Sequence, residues 1–222
     1  FSSADIVLPA VSFVMPVLNE ESYLEAAVEA IFAQRYPADF EIVLALGPST
    51  DATAQIATHL GNQHPEIRIV HNPERDIPIA LNLAIQAARY SIIVRVDAHS
   101  ELSPGYVETA VRFLQQTGAA NVGGIMRAAG TTPVQQAIAG GYNSPLGLGG
   151  GTYHFSTQPH TAESAYLGVF PRSTFDLVGG FDPTIRRGED WEFNLRVRRS
   201  GGVVWFDPSL AVTYWPRSSW RA

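Results

Sequence analysis

The sequence has 222 residues, of which 45% are hydrophobic and 16% are charged, and it contains no cysteine. This composition fits one large globular domain or two small ones, and it excludes a disordered chain. It also excludes disulfides, thiolate nucleophiles and zinc–thiolate sites. The formal net charge of −6 argues against a nucleic-acid-binding protein, which is usually basic. No run of about 18 apolar residues occurs, so no membrane-spanning helix is predicted.

The first half of the sequence alternates predicted strands and helices. Apolar runs rich in β-branched residues are typical of buried parallel strands, and apolar residues at helical spacing predict the helices between them. The predicted strands are Val11–Met15, Glu41–Leu46, Ile67–Val70 and Ile92–Val96, and the predicted helices are Glu20–Arg35, Asp51–Leu60 and Ile77–Ala88. This alternation predicts an α/β fold with a doubly wound, mostly parallel sheet flanked by helices.

The second half of the sequence is less regular. Six glycines make Gly140–Gly151 too flexible for the interior of an element, and we interpret it as either a surface loop or a lid. A helix is predicted over Glu189–Arg199, followed by strands Val203–Phe206 and Ala211–Trp215. No linker divides the chain, so residues 1–222 are predicted to form one domain. We expect the natural polypeptide to continue beyond Ala222.

Three predicted loops follow the carboxyl ends of strands, namely Pro16–Glu21, Gly47–Asp51 and Asp97–Glu101. Doubly wound sheets bind ligands outside these strand ends, so the three loops are predicted to form one site. The motif GxGxxG is absent after the first strand, and the chain has no lysine for a P-loop. The predicted site therefore follows neither of these nucleotide-binding patterns.

Asp97 and His99 are two residues apart directly after a strand, so their side chains can converge. A carboxylate oxygen and an imidazole nitrogen are ligands for Mn²⁺ or a related divalent ion, and a bound diphosphate supplies further oxygens. The alternative is that Asp97 caps the next turn while His99 faces solvent. Both interpretations remain open from the spacing alone.

Acidic residues also open two predicted helices. Glu189 and Asp190 at the start of the later helix complement its dipole, or one of them acts as a general base on an acceptor hydroxyl. Asn19, with Glu20 and Glu21 behind it, either caps the first helix or holds a nucleotide base or ribose.

The order of these motifs resembles the family 2 glycosyltransferases, which have the GT-A fold. The residues that carry the resemblance are PVLNEE, GPSTDAT, NPERDIPIALNLAIQAA, IIVRVDAHS and GVFPRSTFDLVGGFDPTIRRGEDWEFNLRVRRSGG, in that order along nearly the whole chain. Within the family, the sequence looks most like the succinoglycan-type exopolysaccharide enzymes, which also carry D-A-H. The resemblance implies inverting transfer of a sugar from a nucleotide diphosphate donor, with Mn²⁺ or Mg²⁺ as cofactor. It divides the chain into a nucleotide-sugar-binding half, 1–100, and an acceptor-binding half, 101–222.

The resemblance assigns the donor-binding residues first. Pro16, Asn19 and Glu20 match the loop after the first strand that touches the nucleoside. Asp97 and His99 match the D-x-D motif, which binds the ribose and the metal–diphosphate. His99 replaces the second aspartate of that motif, which implies an altered metal preference.

The remaining assignments concern the acceptor side. Asp190 matches the acidic residue that serves as general base, with Glu189 beside it, and an open cleft with arginines nearby is expected to keep Asp190 ionised. Gly168 and Trp191 are assigned to the acceptor pocket, and Arg217 to the donor diphosphate. The Q-x-x-R-W motif of processive synthases is absent from the sequence shown.

The donor base stays open, because Leu46-Gly47-Pro48 stands where the family often has two carboxylates. UDP is the favoured nucleotide. The implied acceptor is a glycan or a lipid-linked glycan. The implied location is cytoplasmic, with peripheral contact to the inner face of the cell membrane through a segment beyond Ala222.

Two other classes of protein remain as alternatives. A sugar-phosphate nucleotidyltransferase would share the α/β fold and a metal, but it usually has a Gly-rich, basic first loop where this chain has PVLNEE. A non-catalytic nucleotide- or glycan-binding module is the second alternative, and the acidic pair before Trp191 argues against it.

Overall fold

The computed structural model describes residues 7–144 and 156–216, in which nine strands form one mixed sheet with helices on both faces. In chain order the elements are β1 (Val11–Val17), α1 (Leu24–Phe32), β2 (Phe40–Leu46), α2 (Thr53–Gln63), β3 (Ile67–His71), α3 (Ile77–Ala87), β4 (Ile92–Arg95), β5 (Ser100–Leu102), α4 (Tyr106–Thr117), β6 (Asn121–Ala128), α5 (Pro133–Tyr142), β7 (His160–Thr161), β8 (Tyr166–Pro171), α6 (Arg172–Val178), α7 (Glu189–Arg199) and β9 (Val204–Tyr214).

The order of the strands places a crevice at the centre of the sheet. The order is β3-β2-β1-β4-β8-β6-β9-β5, with β7 also paired to β9. Strands β3, β2, β1 and β4 are mutually parallel, as predicted. Because β1 lies between β2 and β4, the sheet grows in both directions from it, and the carboxyl ends of β1 and β4 border the switch point where such sheets bind ligands.

The two faces of the sheet have separate apolar layers. Along β1, Phe13 and Met15 pack on the face covered by α1, α2 and α4. Val14 packs on the opposite face, which is covered by α3, α6 and α7. This alternation explains why the strand is apolar at nearly every position. Among the helices of the described residues, none has both the length and the apolar character needed to cross a membrane.

The second half contains elements that were not predicted from the sequence, namely β5, α4, β6, α5, β7, β8 and α6. The two predicted strands Val203–Phe206 and Ala211–Trp215 are one strand, β9, whose register on β6 shifts between them. Gly140 lies within the last turns of α5, so the beginning of the Gly140–Gly151 segment is helical. Residues 145–151 of that segment lie outside the described residues.

One buried carboxylate joins three strands and the end of α3. The Glu41 side chain on β2 is fully buried and accepts hydrogen bonds from Ser12 Oγ at 2.8 Å, Arg89 N at 2.5 Å, Arg89 Nε at 2.9 Å and Arg68 Nη1 at 3.3 Å. Burial opposes ionisation, but the hydrogen bonds from Arg89, Ser12 and Arg68 outweigh it and lower the pKa of Glu41. The ionised carboxylate therefore stabilises the fold.

We expect Glu41→Gln to lower the free energy of unfolding by about 2–3 kcal/mol at pH 7, because charged hydrogen bonds are lost. The loss is no larger because the two arginine partners are partly exposed and water can solvate them. The folded pKa lies below the ordinary value of about 4.3, so this stability is present above that pH and is lost as the pH falls through the folded pKa. Urea denaturation of both proteins between pH 3 and pH 7 measures the difference.

The matched control is Glu108→Gln. Glu108 forms an exposed pair with Arg112 one helical turn away, so its loss should change stability by less than about 0.5 kcal/mol. Equal effects of the two substitutions would contradict the assignment of Glu41 as a buried, ionised anchor.

Candidate active site

The loops after β1 and β2 are joined by hydrogen bonds between backbone and side chains. Asn19 adopts a left-handed conformation with φ of +56°. Its Oδ1 accepts a hydrogen bond from Thr50 N at 2.8 Å, and its own N donates to Ser49 Oγ at 3.0 Å. Glu20 N donates to Thr53 Oγ1 at 2.7 Å. Of the two interpretations of Asn19, the cap of the first helix is wrong, because α1 begins five residues later, at Leu24, and Asn19 instead binds the second loop.

The loop after β4 forms a tight turn that brings His99 to the first loop. Ser100 N donates to Asp97 O at 2.9 Å, and Ser100 Oγ donates to the same oxygen at 2.7 Å. His99 Nδ1 lies 2.9 Å from Glu20 Oε1. A carboxylate oxygen accepts, so this contact places a proton on Nδ1, and in a neutral ring the lone pair is then on Nε2.

A buried arginine occupies the centre of the site. Arg95, the last residue of β4, has a side chain that is 3% exposed and pairs with three carboxylates. Its Nε lies 3.2 Å from Asp97 Oδ1, its Nη2 lies 3.0 Å from Glu189 Oε1, and its Nη1 contacts Asp190 Oδ1. The guanidinium group also lies 5.7 Å from the centroid of the Phe181 ring. One cation thus links the loop after β4 to the start of α7.

The environment of Asp190 differs from the open cleft that the sequence analysis expected. Burial, together with the negative charges of Glu189 and Asp97, outweighs the attraction of Arg95 and raises the pKa of Asp190 to about 7. The nearby cation is Arg95, whereas Arg186 is largely exposed and pairs with Asp76 at 3.2 Å. A carboxyl group with a pKa near neutrality can both accept and release a proton there.

The loops and α7 enclose a cleft of about 830 Å³, which is large enough for a nucleotide sugar. It brings together the predicted residues Pro16, Asn19, Glu20, Asp97, His99, Glu189 and Asp190. Its other lining residues come from the loop after β3, from the approach to α7 and from aromatic positions, and they include Asn72, Arg75, Asp76, Tyr142, Tyr166, Arg186, Arg187, Tyr214 and Trp215.

Few side chains are placed to serve as ligands of a divalent metal among the described residues. Across residues 7–144 and 156–216, no three histidine, aspartate, glutamate or cysteine side chains are grouped as a complete metal site. Asp97 and His99 provide one carboxylate and one imidazole whose tautomer is set by Glu20. Both residues line the cleft, and a carboxylate and an imidazole are ligands that Mn²⁺ or Mg²⁺ accepts beside phosphate oxygens and water, because such ions commonly take few protein ligands.

Two predicted residues, Gly168 and Trp191, do not line the cleft. Gly168 is buried in β8, where an added Cβ would lie 2.4 Å from Phe170 Cζ and 2.5 Å from Asn121 Oδ1. Its φ of +100° and this close packing explain why glycine occupies the position. Trp191 is 43% exposed on α7 and does not line the cleft. Arg217 lies outside the described residues.

Sequence reasoning missed Arg95 as a site residue. A signal was present, because a charged side chain in an otherwise apolar buried strand needs a partner of opposite charge. The sequence could not identify Glu189 and Asp190 as those partners, because they lie 94 and 95 residues away. Tyr166 was also missed, and its hydroxyl is buried without a hydrogen-bond partner among the described residues.

The fold is the GT-A fold, which confirms the predicted fold class. The mannosyltransferase PcManGT from Pyrobaculum calidifontis, solved with GDP-Man and Mn²⁺, is 20% identical and matches with a TM-score of 0.74 over 97% of this chain and 59% of its own. S. aureus TarS 1–349, solved with UDP-GlcNAc, is 16% identical, with a TM-score of 0.70 over 95% of this chain and 59% of its own.

Residues 12–181 match the model of glycosyl transferase family 2, and the chain belongs to that family. A curated relative, the succinoglycan biosynthesis protein ExoA of Rhizobium meliloti (strain 1021), is 32% identical over 98% of this chain. The chain spans 66% of the length of that relative. The predicted resemblance to succinoglycan-type members of the family is confirmed.

Asp190→Asn is expected to be more stable than the wild type at neutral pH. The folded pKa of about 7 lies above the ordinary aspartate value of about 3.9, so the folded state binds the extra proton between these pH values. Wild-type stability therefore falls as the pH rises through this window. The advantage of the variant should grow to on the order of 2 kcal/mol by pH 7. Urea denaturation from pH 4 to pH 8 measures it.

Asp182→Asn is a control of opposite sign. Asp182 is partly exposed, and hydrogen bonds from the Thr184 hydroxyl and backbone N–H lower its pKa. That substitution should lower stability above about pH 4. The difference in the free energy of unfolding between this variant and the wild type should then stay constant from pH 5 to pH 7. A flat profile for Asp190→Asn as well would contradict a raised pKa at Asp190.

Proposed function

We propose that this chain transfers a sugar, with inversion, from a nucleotide diphosphate donor to a hydroxyl group of a glycan or glycolipid acceptor. The observation that carries the proposal is the triple ion pair of Arg95, which brings Asp97 of the donor-side loop and Asp190 of α7 into one cleft. Inverting transfer needs a leaving-group site and a base on opposite sides of one sugar. Asp97 would serve the leaving group, and Asp190 would serve as the base.

On the donor side, the joined loops after β1 and β2 would hold the nucleoside through Pro16, Asn19 and Glu20. Asp97 and His99 would hold Mn²⁺ or Mg²⁺ together with the diphosphate. Such a cation stabilises the negative charge that develops on the leaving diphosphate without a proton. Glu20 supports His99 in this role by fixing its tautomer.

On the acceptor side, Asp190 would accept the proton of the attacking hydroxyl group. Its raised pKa suits this role, because proton transfer is most effective when the pKa of the base is close to the working pH. Glu189, buried beside it, keeps negative charge near Asp190 and shares Arg95 with it. Trp191, the next residue of α7, is exposed outside the cleft, where it would contact only a part of the acceptor that extends beyond the cleft.

Relatives guide the choice of donor and acceptor. TarS 1–349 was solved with UDP and with UDP-GlcNAc, whereas PcManGT was solved with GDP-Man, so we favour a UDP-sugar and test both bases. The name of the R. meliloti relative concerns polysaccharide biosynthesis. We extend the proposal to a glycan or lipid-linked acceptor and to a cytoplasmic protein at the inner face of the cell membrane, with no nucleic-acid partner.

Calorimetric titration with UDP and GDP, with and without Mn²⁺, tests the donor site before any acceptor is known. We expect one nucleotide to bind, at least about tenfold more tightly with Mn²⁺, because the protein and the diphosphate each complete the other's metal ligands. His99→Ala should lose this metal enhancement and keep its fold.

His59→Ala is the matched control, since His59 is an exposed residue of α2 away from the cleft. Binding of neither nucleotide by a folded wild-type protein would contradict the proposal. Release of pyrophosphate from a nucleoside triphosphate and a sugar phosphate would instead favour a nucleotidyltransferase.

Asp190→Asn should keep donor binding and lose turnover. The substitution keeps the shape of the side chain but removes the proton acceptor, so we expect hydrolysis of the donor by water to slow by about 10²–10⁴-fold. Hydrolysis of the nucleotide sugar needs no identified acceptor and can be followed by release of the nucleotide. Asp176→Asn, at an exposed carboxylate on α6, should leave the rate unchanged. Unchanged turnover in Asp190→Asn would rule out Asp190 as the base.

A further inference from the structure

Arg95 distributes its guanidinium group among three carboxylates rather than pairing with one. Each nitrogen contacts a different carboxylate, with Nε on Asp97, Nη2 on Glu189 and Nη1 on Asp190. The ring of Phe181 lies against the group on another side. The guanidinium group is planar, and its N–H groups point in fixed directions. It therefore constrains the angles as well as the distances of the three carboxylates.

The rest of α7 is held independently of Arg95. Phe193 and Val197 pack in the apolar layer on that face of the sheet. Asn194 accepts a hydrogen bond from Asn121 Nδ2 at 2.8 Å and donates one to Ser164 Oγ at 3.0 Å. The acidic first turn is a different case, because Glu189 and Asp190 reach the β4 strand through Arg95. Loosening the guanidinium group would therefore release the first turn and leave the helix in place.

We propose that Arg95 is a positioning residue, which sets the orientation of the Asp190 carboxylate relative to the donor loop and acts on turnover through Asp190. The inference rests on the proposed function. In the proposed reaction, the acceptor proton moves from the attacking hydroxyl group to Asp190 Oδ while the anomeric carbon exchanges its bond to the diphosphate oxygen for one to the acceptor oxygen. Misplacement of a reacting group by about 1 Å can cost about 10²-fold in rate.

Arg95→Lys tests the proposal, because lysine keeps the buried positive charge but has a single nitrogen in place of the fork. We expect kcat for hydrolysis of the tightest-binding nucleotide sugar to fall about 100-fold, while KM and the calorimetric Kd of the donor stay within about threefold. A purely structural role would lower stability and change donor binding and kcat together.

The Asp190→Asn background supplies the deciding measurement. If Arg95 acts through Asp190, then Arg95→Lys should have almost no further effect on the residual rate of Asp190→Asn. A further 100-fold loss in that background would overturn the proposal. An unchanged kcat in folded Arg95→Lys, or a raised KM with unchanged kcat, would overturn it as well.

Arg172→Lys is the matched control for the loss of a guanidinium fork. Arg172 donates to the backbone oxygens of Ile85, Ala88 and Tyr90, away from the cleft. Its substitution should lower stability without changing kcat or KM. If Arg95→Lys does not fold, Arg95→Ala with added guanidinium chloride replaces it. Saturable recovery of kcat that equal sodium chloride does not give supports the proposal, and its absence in folded protein refutes it.

Wild-type protein that binds no nucleotide would contradict the proposed function. Normal wild-type binding and turnover with an unchanged Arg95→Lys would contradict only the role of Arg95. The two failures are therefore distinguishable in one set of measurements.

Discussion

The arrangement of the cleft depends on one buried cation. A guanidinium group cannot be left without charged partners inside an apolar sheet, because its desolvation is costly unless ion pairs and hydrogen bonds replace water. Arg95 at the end of β4 meets this requirement with Asp97 in the loop after that strand and with Glu189 and Asp190 on α7. The need of buried Arg95 for charged partners thus brings the loop after β4 together with the start of α7.

The charges around Arg95 do not balance. Three carboxylates share one guanidinium, and Glu20 adds a fourth acidic group through His99. Burial of Asp190, together with the negative charges of Glu189 and Asp97, explains why its pKa rises to about 7 rather than falling beside an arginine. The site therefore destabilises the folded state. The two apolar layers and the hydrogen bonds around buried Glu41 stabilise it.

The sequence predicted those elements whose signals are local. The helix Glu189–Arg199 has the predicted bounds. Gly188, with φ of +77°, and acidic residues in the first turn mark its start, and arginines occupy its last turn. The amphipathic helix α4 was missed although Gly105 and Gly118 flank it, both with positive φ. The long strand β9 was divided because Asp207 and Pro208 resemble a turn, whereas the chain only shifts register there.

Contacts between distant residues explain what the sequence could not show about the site. The helix-cap interpretation of Asn19 was reasonable from its neighbours, but the partner that decides its conformation is Thr50, on another loop. Likewise, an acidic pair at a helix start has a sufficient local explanation in the helix dipole. Only the position of Arg95 separates that explanation from a functional one. A dipole effect needs no buried cation beneath the first turn, whereas a base that must face a donor site needs something to hold it there.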